Sequence, residues 1–482
     1  MVFSSLLFVY AFFPLNILFY HLMPDLKWKN RIMLVFSLIF YAWAGPVYLL
    51  LLVGMTFADW VVTREMAKCW EQKLRKRWLV IGCVINLGLL CFFKYLTFFL
   101  QNFHNLFGVP ETVIAITLPI GISFYTFQLL SYMVDVYRRD VDAQQNFFTL
   151  LLYVSMFHQC IAGPIVRYEH VEKELTHRKI LRADVAYGIR RFTIGLAKKA
   201  LLANTCGSFA DTFLVSTSSD SIYTTLVSQP ALSVWLGMFA YTMQIYLDFS
   251  AYSDMAIGMG RMIGFHYREN FDYPYISRSI TEFWRRWHIS LSSFFRDYLY
   301  IPLGGNRCNT GRHILNLLIV WALTGFWHGA SWNFLFWGLY YFLFLVAEKY
   351  LFPRFSISGP SVLTRLYTLL IVSFGWMIFR FEAPSEIFAV LKGLFGLNGN
   401  GFSNYETNVA LKSSFLFFIV AILACTPIVR VVGQRLQERA LESRNAQVAM
   451  QVIQIAAPIV LLLISTAALV GDSYNPFLYF RF

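Results

Sequence analysis

The sequence predicts an all-α polytopic membrane protein, and three observations indicate this class. Hydrophobic residues make up 57% of the 482 residues and charged residues only 14%, a balance typical of polytopic membrane proteins. Apolar runs without Asp, Glu, Lys or Arg recur along the whole chain. One run, residues 314–347, is about 50 Å long as a helix, which exceeds one crossing of a hydrocarbon core about 30 Å thick.

The apolar runs predict about eleven transmembrane helices, counting a split at Gly45-Pro46 and another inside 314–347. The runs are 2–20, 32–58, 78–93, 112–134, 143–166, 221–247, 314–347, 366–379, 413–429 and 452–470. The first run has no short basic leader and no cleavage site of small residues, so we interpret it as a retained span.

Basic residues indicate the orientation of the chain in a cell membrane. They cluster at 27–31, 64–77 and 138–139, whereas the segment 101–110 carries none. Because basic loops stay on the cytoplasmic side, we expect the amino terminus and the carboxyl-terminal tail outside. Two termini on the same side require an even number of crossings. If both are outside, the count of about eleven is therefore wrong by one helix.

Helix breakers interrupt two of the apolar runs. The sequence L-P-I-G at 118–121 and the sequence A-G-P at 162–164 both lie within apolar surroundings, and His158 precedes the second. Such breaks are tolerated at membrane depth only where protein or water satisfies the freed backbone groups. They predict re-entrant or in-plane segments around an internal cavity, with simple helix kinks as the alternative.

A single imidazole in the run 314–347 is the first candidate catalytic residue. His328 lies in the sequence W-H-G-A at 327–330, at the only break in the run. It is roughly 21 Å along the first predicted helix. A polar ring near membrane depth is functional by default, and it usually faces the protein interior or a water-filled cavity. A hydrogen-bonded structural histidine is the alternative.

Residues 281–298 supply the second candidate catalytic residue. At helical spacing Trp284, His288 and Leu291 form one stripe, while two arginines fall on another side. The pattern predicts an amphipathic helix that lies in or dips into the membrane with His288 on its buried face. A satisfied core histidine is the usual explanation, but a second imidazole forty residues before His328 favours a shared site.

Polar residues elsewhere predict membrane-surface and ion-pair roles. The basic segment 167–199 has a spacing typical of a helix on anionic lipid headgroups, with phosphates of a nucleotide-like donor as the alternative ligand. Asp248 and Asp254 lie next to the end of a predicted span, where unpaired carboxylates are costly. Six residues apart, they do not share a helical face, so we expect each to pair with a nearby arginine rather than form an acid/base dyad.

The cysteines and the net charge bear on disulfides, metal binding and nucleic-acid binding. The seven cysteines include no C-x-x-C pair, so neither a disulfide framework nor a metal site is expected. The net charge of +13 is concentrated in loops beside spans, which predicts contact with the lipid bilayer and not with nucleic acid.

Six motifs resemble those of the membrane-bound O-acyltransferase (MBOAT) family. They are L-P-I-G-I-S-F-Y at 118–125, Y-L-D-F-S-A-Y-S-D-M-A-I-G at 246–258, I-T-E-F-W-R-R-W-H-I-S-L-S at 280–292, R-D-Y-L-Y at 296–300, L-G-G-N-R at 303–307 and W-H-G-A at 327–330. The alginate O-acetylation branch is the most similar, and the teichoic acid D-alanyl transfer branch is more distant. The resemblance implies helices around a central funnel, in a single domain over 1–482 with its core at about 100–380.

The resemblance also implies roles for individual residues. The W-H-G histidine, here His328, is the catalytic residue of the family, and the R-W-H-[IM]-S histidine, here His288, is the second active-site member. The tail at 473–482 ends in F-L-Y-F-R-F, similar to the F-x-Y-F-x-F terminus of a small membrane peptide in the D-alanylation system. That likeness implies that Tyr479 carries the acyl group transiently, with simple docking of an apolar tail as the alternative.

The function implied is O-acyl transfer across the membrane. A cytoplasmic thioester, expected to be acetyl-CoA, would donate an acetyl group, His328 would be the general base, and His288 would orient it or hydrogen-bond the acyl carbonyl. An extracellular SGNH hydrolase-like acetyltransferase would then pass the group to a glycan. D-alanyl transfer to teichoic acid is one alternative. A secondary transporter or flippase is another, although we find no internal repeat of the kind such proteins often show.

Overall fold

The computed structural model describes residues 1–43, 45–108, 116–160, 163–215, 221–352, 361–471, 474–475 and 478. Every regular element within these ranges is a helix. This confirms the predicted all-α class.

The α-helices, in chain order, are α1 (Phe13–Leu22), α2 (Leu26–Ala42), α3 (Pro46–Lys68), α4 (Gln72–Leu90), α5 (Leu96–Phe107), α6 (Ile122–Arg138), α7 (Phe147–Ser155), α8 (Phe157–Cys160), α9 (Tyr168–Thr176), α10 (Arg182–Ala197), α11 (Asn204–Leu214), α12 (Ile222–Ser228), α13 (Ala231–Met262), α14 (Ile280–Arg286), α15 (Ile289–Phe295), α16 (Thr310–His328), α17 (Trp332–Val346), α18 (Ser361–Arg380), α19 (Pro384–Leu394), α20 (Tyr405–Ser413), α21 (Phe415–Ala424), α22 (Ile428–Ala440) and α23 (Arg444–Gly471). Shorter π-helical segments are Phe8–Phe12, Cys91–Tyr95, Lys198–Ala203, Arg296–Tyr300 and Ala347–Leu351, and Pro274–Ile276 is a 3₁₀ turn.

Several helices are long and apolar enough to cross a membrane. Among the described residues five stretches meet this condition, namely Pro46–Lys68, Gln72–Phe107, Trp332–Leu351, Ser361–Arg380 and Arg444–Gly471. The pair α20 and α21, bent by 59°, makes a sixth if it is a single broken span. The chain is therefore a membrane protein, while the count of about eleven crossings stays a prediction.

The run 314–347 forms two helices, as predicted, with the turn directly after His328. Glycines allow α16 and α17 to pack closely. A Cβ added at Gly325 would lie 2.2 Å from the carbonyl oxygen of Phe334, and one at Gly338 would lie 2.3 Å from that of Trp321. Small residues at such positions bring helix backbones together, as is common in membrane proteins.

The chain divides into two compact units. The first comprises Met1–Phe192, Tyr252–Glu269 and Ser293–Pro302. The second comprises Thr193–Ala251, Asn270–Ser292 and Leu303–Phe482. Both candidate histidines belong to the second unit.

The first unit contains the predicted helix breaks. The apolar run 143–166 forms only α7, of nine residues, and α8, of four, among its described residues. His158, in α8, is fully buried, and its Nδ1 lies 2.9 Å from the hydroxyl oxygen of Tyr267. Gly121, at φ 77°, precedes α6. The chain is therefore non-helical at 118–121, as its proline and glycine predict. The A-G-P sequence lies partly outside the described residues, and re-entrant segments around a cavity stay a prediction.

Asp254, one of the two carboxylates of the motif at 246–258, lies in the first unit and pairs with an arginine. Arg191 donates from Nε to Oδ1 of Asp254 at 2.8 Å and from Nη2 to Oε2 of Glu269 at 2.6 Å. This confirms the expected Arg partner of Asp254. One arginine of the basic segment is thus engaged in an internal ion pair rather than on a lipid surface.

Candidate active site

His328 is the last residue of helix α16 and is surrounded by aromatic rings. Its imidazole centroid lies 4.9 Å from that of Trp327, 5.0 Å from that of Trp337 and 5.3 Å from that of Phe379, each at a steep angle. Only 6% of His328 is exposed. Three different helices, α16, α17 and α18, therefore enclose this ring.

Gly329, directly after His328, has no room for a side chain. A Cβ there would lie 2.2 Å from the ring of Phe334. Phe334 in turn packs edge-on against Phe379, with 4.9 Å between ring centroids. The W-H-G sequence thus has a physical reason: the glycine lets an aromatic ring close over the turn that carries the histidine.

His288 lies at a helix break, which corrects the prediction of one continuous amphipathic helix over 281–298. Helix α14 ends at Arg286, α15 begins at Ile289, and His288 has φ 43°. A left-handed backbone at a bulky residue is strained and persists only where its surroundings hold it, which is common at functional sites. Helical periodicity could not predict this break, because the hydrogen bonds that hold it come from elsewhere in the chain.

Asn270 holds the break in place. Its main-chain oxygen accepts from the N–H of Ile289 at 2.9 Å. Its side-chain Oδ1 accepts from the main-chain N–H of Ser290 at 3.2 Å and from the Ser290 hydroxyl at 2.8 Å. The same Oδ1 lies 3.2 Å from Nδ1 of His288. Asn270 is fully buried, so these contacts are shielded from water.

Burial governs the charge of His288, which lies outside the spanning helices. The residue is 1% exposed. Burial lowers its pKa from 6.5 to about 3 because water no longer stabilises the imidazolium. His288 is accordingly a neutral imidazole at physiological pH.

Helix α14, which leads to His288, is fixed at its amino-terminal end by Glu348. The carboxylate of Glu348 accepts from the main-chain N–H groups of Ile280 at 2.6 Å and Thr281 at 2.9 Å. It also accepts from the Thr281 hydroxyl at 2.8 Å. A carboxylate is favourable at a helix amino terminus because it satisfies otherwise unpaired N–H groups. Glu348 follows α17, so the segment after the His328 hairpin also positions the His288 helix.

The ring of Trp327 brings the two predicted histidines together. Its centroid is 4.9 Å from that of His328 and 6.2 Å from that of His288. Phe249, from the motif at 246–258, packs edge-on against His288 at 4.8 Å. Two imidazoles and Phe249 of α13 therefore share one buried, aromatic region of the second unit.

Asp248, next to Phe249, pairs with a lysine rather than with the expected arginine. Its Oδ1 lies 2.8 Å from Nζ of Lys199, and the two side chains are only 2% and 3% exposed. The partner is positively charged, as predicted, but it is a lysine and not an arginine. Lys199 belongs to the π-helical segment Lys198–Ala203, an irregularity often found at functional sites.

The described part of the tail contacts the second unit. The main-chain N–H of Leu478 donates to Oδ2 of Asp248 at 3.0 Å. The hydroxyl of Tyr474 donates to the carboxylate of Asp211, which also accepts from Arg380 at 2.5 Å. Tyr479 itself lies outside the described residues, so its predicted role as acyl carrier stays a prediction.

Among the described residues, no group of three or more His, Cys, Asp or Glu side chains is placed to hold a metal ion. The side chains of the site include the two imidazoles, aromatic rings and the buried Lys199–Asp248 pair.

Sequence reasoning missed Asn270 and Glu348, and it placed Lys199 in the basic segment 167–199 without predicting its pairing with Asp248. Asn270 lies in irregular chain between α13 and α14, where periodicity carries no information. Glu348 and Lys199 each act on a residue far away in sequence, and a single sequence contains no signal for such contacts.

Comparisons with known proteins agree with the motifs. The family model named MBOAT, for the membrane-bound O-acyltransferase family, matches residues 81–383. The probable alginate O-acetylase AlgI of Azotobacter vinelandii is 36% identical over 513 aligned positions that cover 100% of both chains. The peptidoglycan O-acetyltransferase of Helicobacter pylori is 34% identical, covering 83% of this chain and 80% of that protein.

A more distant relative is the teichoic acid D-alanyltransferase of Bacillus subtilis, 26% identical over 64% of this chain and 80% of that protein. This order of similarity confirms the one predicted from the motifs. The chain therefore belongs to the membrane-bound O-acyltransferase family and is an O-acyltransferase.

Proposed function

We propose that this protein transfers an acetyl group from a cytoplasmic thioester, acetyl-CoA, to a hydroxyl group for O-acetylation of an extracellular or cell-wall polysaccharide. The observation that carries the proposal is the placement of His288 and His328 around Trp327 in one buried region. Relatives named as O-acetylases support the choice of acetyl. The whole chain, 1–482, acts as one membrane-embedded domain with its core at about 100–380.

In the reaction His328 removes the proton of the attacking hydroxyl. The hydroxyl oxygen bonds to the carbonyl carbon of the thioester, the carbon–sulfur bond breaks, and the proton passes to the leaving thiolate, giving an ester and a thiol. An imidazole suits this role because its unperturbed pKa of about 6.5 lets it both accept and release a proton near neutral pH. His288 supports the step by orienting His328 or by hydrogen-bonding the acyl carbonyl.

We assign the first acceptor to Tyr479 in the tail. Contacts of Leu478 with Asp248 and of Tyr474 with Asp211 support a tail seated on the second unit. A phenol, with a pKa of about 10, is a better leaving group than a sugar hydroxyl, so an acyl tyrosine remains reactive. With both termini outside the cell membrane, an extracellular SGNH hydrolase-like acetyltransferase would take the group to the glycan.

The proposed function is tested with purified protein in liposomes and radiolabelled acetyl-CoA. We expect release of free coenzyme A thiol and covalent label on the protein, which hydroxylamine removes as expected of an ester. Tyr479→Phe should abolish the label, whereas Tyr405→Phe, at a tyrosine that is 85% exposed, should not. Absence of thiol release from the wild-type protein would contradict the function.

The D-alanyl and transporter alternatives give different outcomes in the same liposomes. A D-alanyl transferase would use a carrier-protein D-alanyl thioester in preference to acetyl-CoA. A transporter would move its solute across the bilayer without cleaving a thioester. Thiol release that depends on acetyl-CoA therefore separates the proposed function from both alternatives.

A further inference from the structure

The contacts around Asn270 determine which nitrogen of His288 carries its proton. Oδ1 of Asn270 lies 3.2 Å from Nδ1 of His288 and 3.2 Å from the main-chain nitrogen of Ser290. Orientations of asparagine amides and tautomers of histidine are derived from such networks. The donors and acceptors at this site therefore have to be identified group by group.

The main-chain nitrogen of Ser290 identifies the side-chain atom of Asn270. A main-chain N–H donates and never accepts, so the amide atom facing it is the oxygen. The hydroxyl of Ser290 lies 2.8 Å from the same atom, a length typical of an O–H donor on a carbonyl oxygen. The opposite amide orientation would place two N–H donors against each other.

The Ser290 hydroxyl lies 3.4 Å from Nδ1 of His288 but only 2.8 Å from Oδ1 of Asn270, so its proton goes to the amide oxygen. Because the atom of Asn270 next to His288 is an acceptor, Nδ1 of His288 donates to it. A bare Nδ1 would oppose its lone pair to that of Oδ1 at 3.2 Å. We propose that Asn270 is a positioning residue that holds His288 as the Nδ1–H tautomer, with Nε2 as the hydrogen-bond acceptor. Two further features keep the ring in this position. They are the strained φ of 43° at His288 and the 2.9 Å hydrogen bond from the main-chain N–H of Ile289 to the main-chain oxygen of Asn270.

This tautomer decides between the two roles proposed for His288, which are to orient His328 or to hydrogen-bond the acyl carbonyl. The choice between them rests on the proposed function. A bare Nε2 does not donate a hydrogen bond to the acyl carbonyl. It accepts one instead, so His288 orients His328 rather than polarising the thioester. Stabilisation of the developing oxyanion then falls to a different donor.

Nitrogen-15 solid-state NMR tests the tautomer directly. The protein is labelled at histidine and reconstituted in lipid, and the spectrum of His288→Gln is subtracted to isolate the signals of His288. Protonated and bare imidazole nitrogens have well-separated shifts. We expect a protonated Nδ1 and a bare Nε2. A protonated Nε2 in the wild-type protein would overturn the proposal, whatever the acyltransferase assay reports.

Substitutions of Asn270 test whether the tautomer matters for catalysis. Asn270→Ala should lower kcat about 10- to 100-fold, as is usual for residues that orient a catalytic ligand, with KM changed by less than about threefold. Asn270→Asp keeps an acceptor against Nδ1 and should recover part of kcat and the Nδ1–H signal.

Asn316→Ala is the matched control, because Asn316 is as deeply buried and donates to the main-chain oxygen of Gly305. We expect it to lower thermal stability without lowering kcat. Equal kcat in Asn270→Ala and the wild-type protein would refute the positioning role. A wild-type protein without thioester activity would refute the proposed function instead, while the NMR result would still decide the tautomer.

Discussion

The two histidines of the second unit are held in different ways. His328 ends a regular helix and is surrounded by the rings of Trp327, Trp337 and Phe379. His288 lies at a strained break between two short helices, where Asn270 holds it with hydrogen bonds. Aromatic packing from three helices therefore encloses one ring, and a polar network holds the other at a break.

This difference teaches how each region should respond to change. Aromatic packing tolerates loss of a polar atom but not added volume. A buried polar network is instead sensitive to the loss of a polar atom, because removal of one partner leaves a buried group short of a hydrogen bond. The following changes, from the largest expected effect to the smallest, test whether the two regions behave in this way.

His328→Gln should have the largest effect. Glutamine keeps a similar volume within the aromatic surrounding but cannot take up a proton, so we expect acyl transfer to fall about 10³-fold with thermal stability nearly unchanged. The measurement is thiol release from acetyl-CoA by the reconstituted protein. His313→Gln is the control, because His313 is equally a buried histidine of α16 but lies near its amino-terminal end. Equal losses in both variants would argue against a catalytic role for His328.

His288→Gln should have the next largest effect, about 10²-fold on kcat. Unlike the change at 328, it should also reduce stability, because Oδ1 of Asn270 loses the hydrogen bond from Nδ1 of His288 at the break. Thermal unfolding in detergent, measured beside thiol release, detects both effects. Loss of activity without loss of stability would mean that packing alone also holds this break.

Gly325→Ala perturbs the packed region without touching either histidine. The added Cβ would lie 2.2 Å from the Phe334 carbonyl oxygen, so the hairpin must separate, at a cost of about 1–3 kcal/mol in unfolding free energy. Gly54→Ala is the control, because nothing lies within 4 Å of its added Cβ. It should be neutral or stabilise the protein by about 0.5–1 kcal/mol. Equal melting temperatures of the two variants would exclude tight packing at Gly325.

Tyr474→Phe should have the smallest effect. It removes only the hydroxyl that contacts Asp211, so the tail should detach more often, at a cost of about 1 kcal/mol. Carboxypeptidase digestion of the tail should accelerate a few-fold relative to the wild-type protein and to Tyr405→Phe. Unchanged digestion would show that this contact does not hold the tail.

The sequence predicted the parts of the site that depend on local pattern. Long uncharged runs predicted spans, and the break inside 314–347 located the turn after His328. Motif resemblance identified His288 as well. Helical spacing failed at His288 itself, because Asn270, eighteen residues earlier, imposes a left-handed backbone there. The partners Lys199 and Glu348 were beyond prediction, since a charge in one helix does not reveal which distant group it will meet.

The most direct test of the account is a double-mutant cycle of His288→Gln and His328→Gln, with the rate of thioester cleavage as the readout. Residues that act as one catalytic unit are strongly non-additive. We therefore predict that the double variant is about as slow as His328→Gln alone. A double variant slowed by the full product of the two single losses would contradict the claim that both imidazoles serve one reaction beside Trp327.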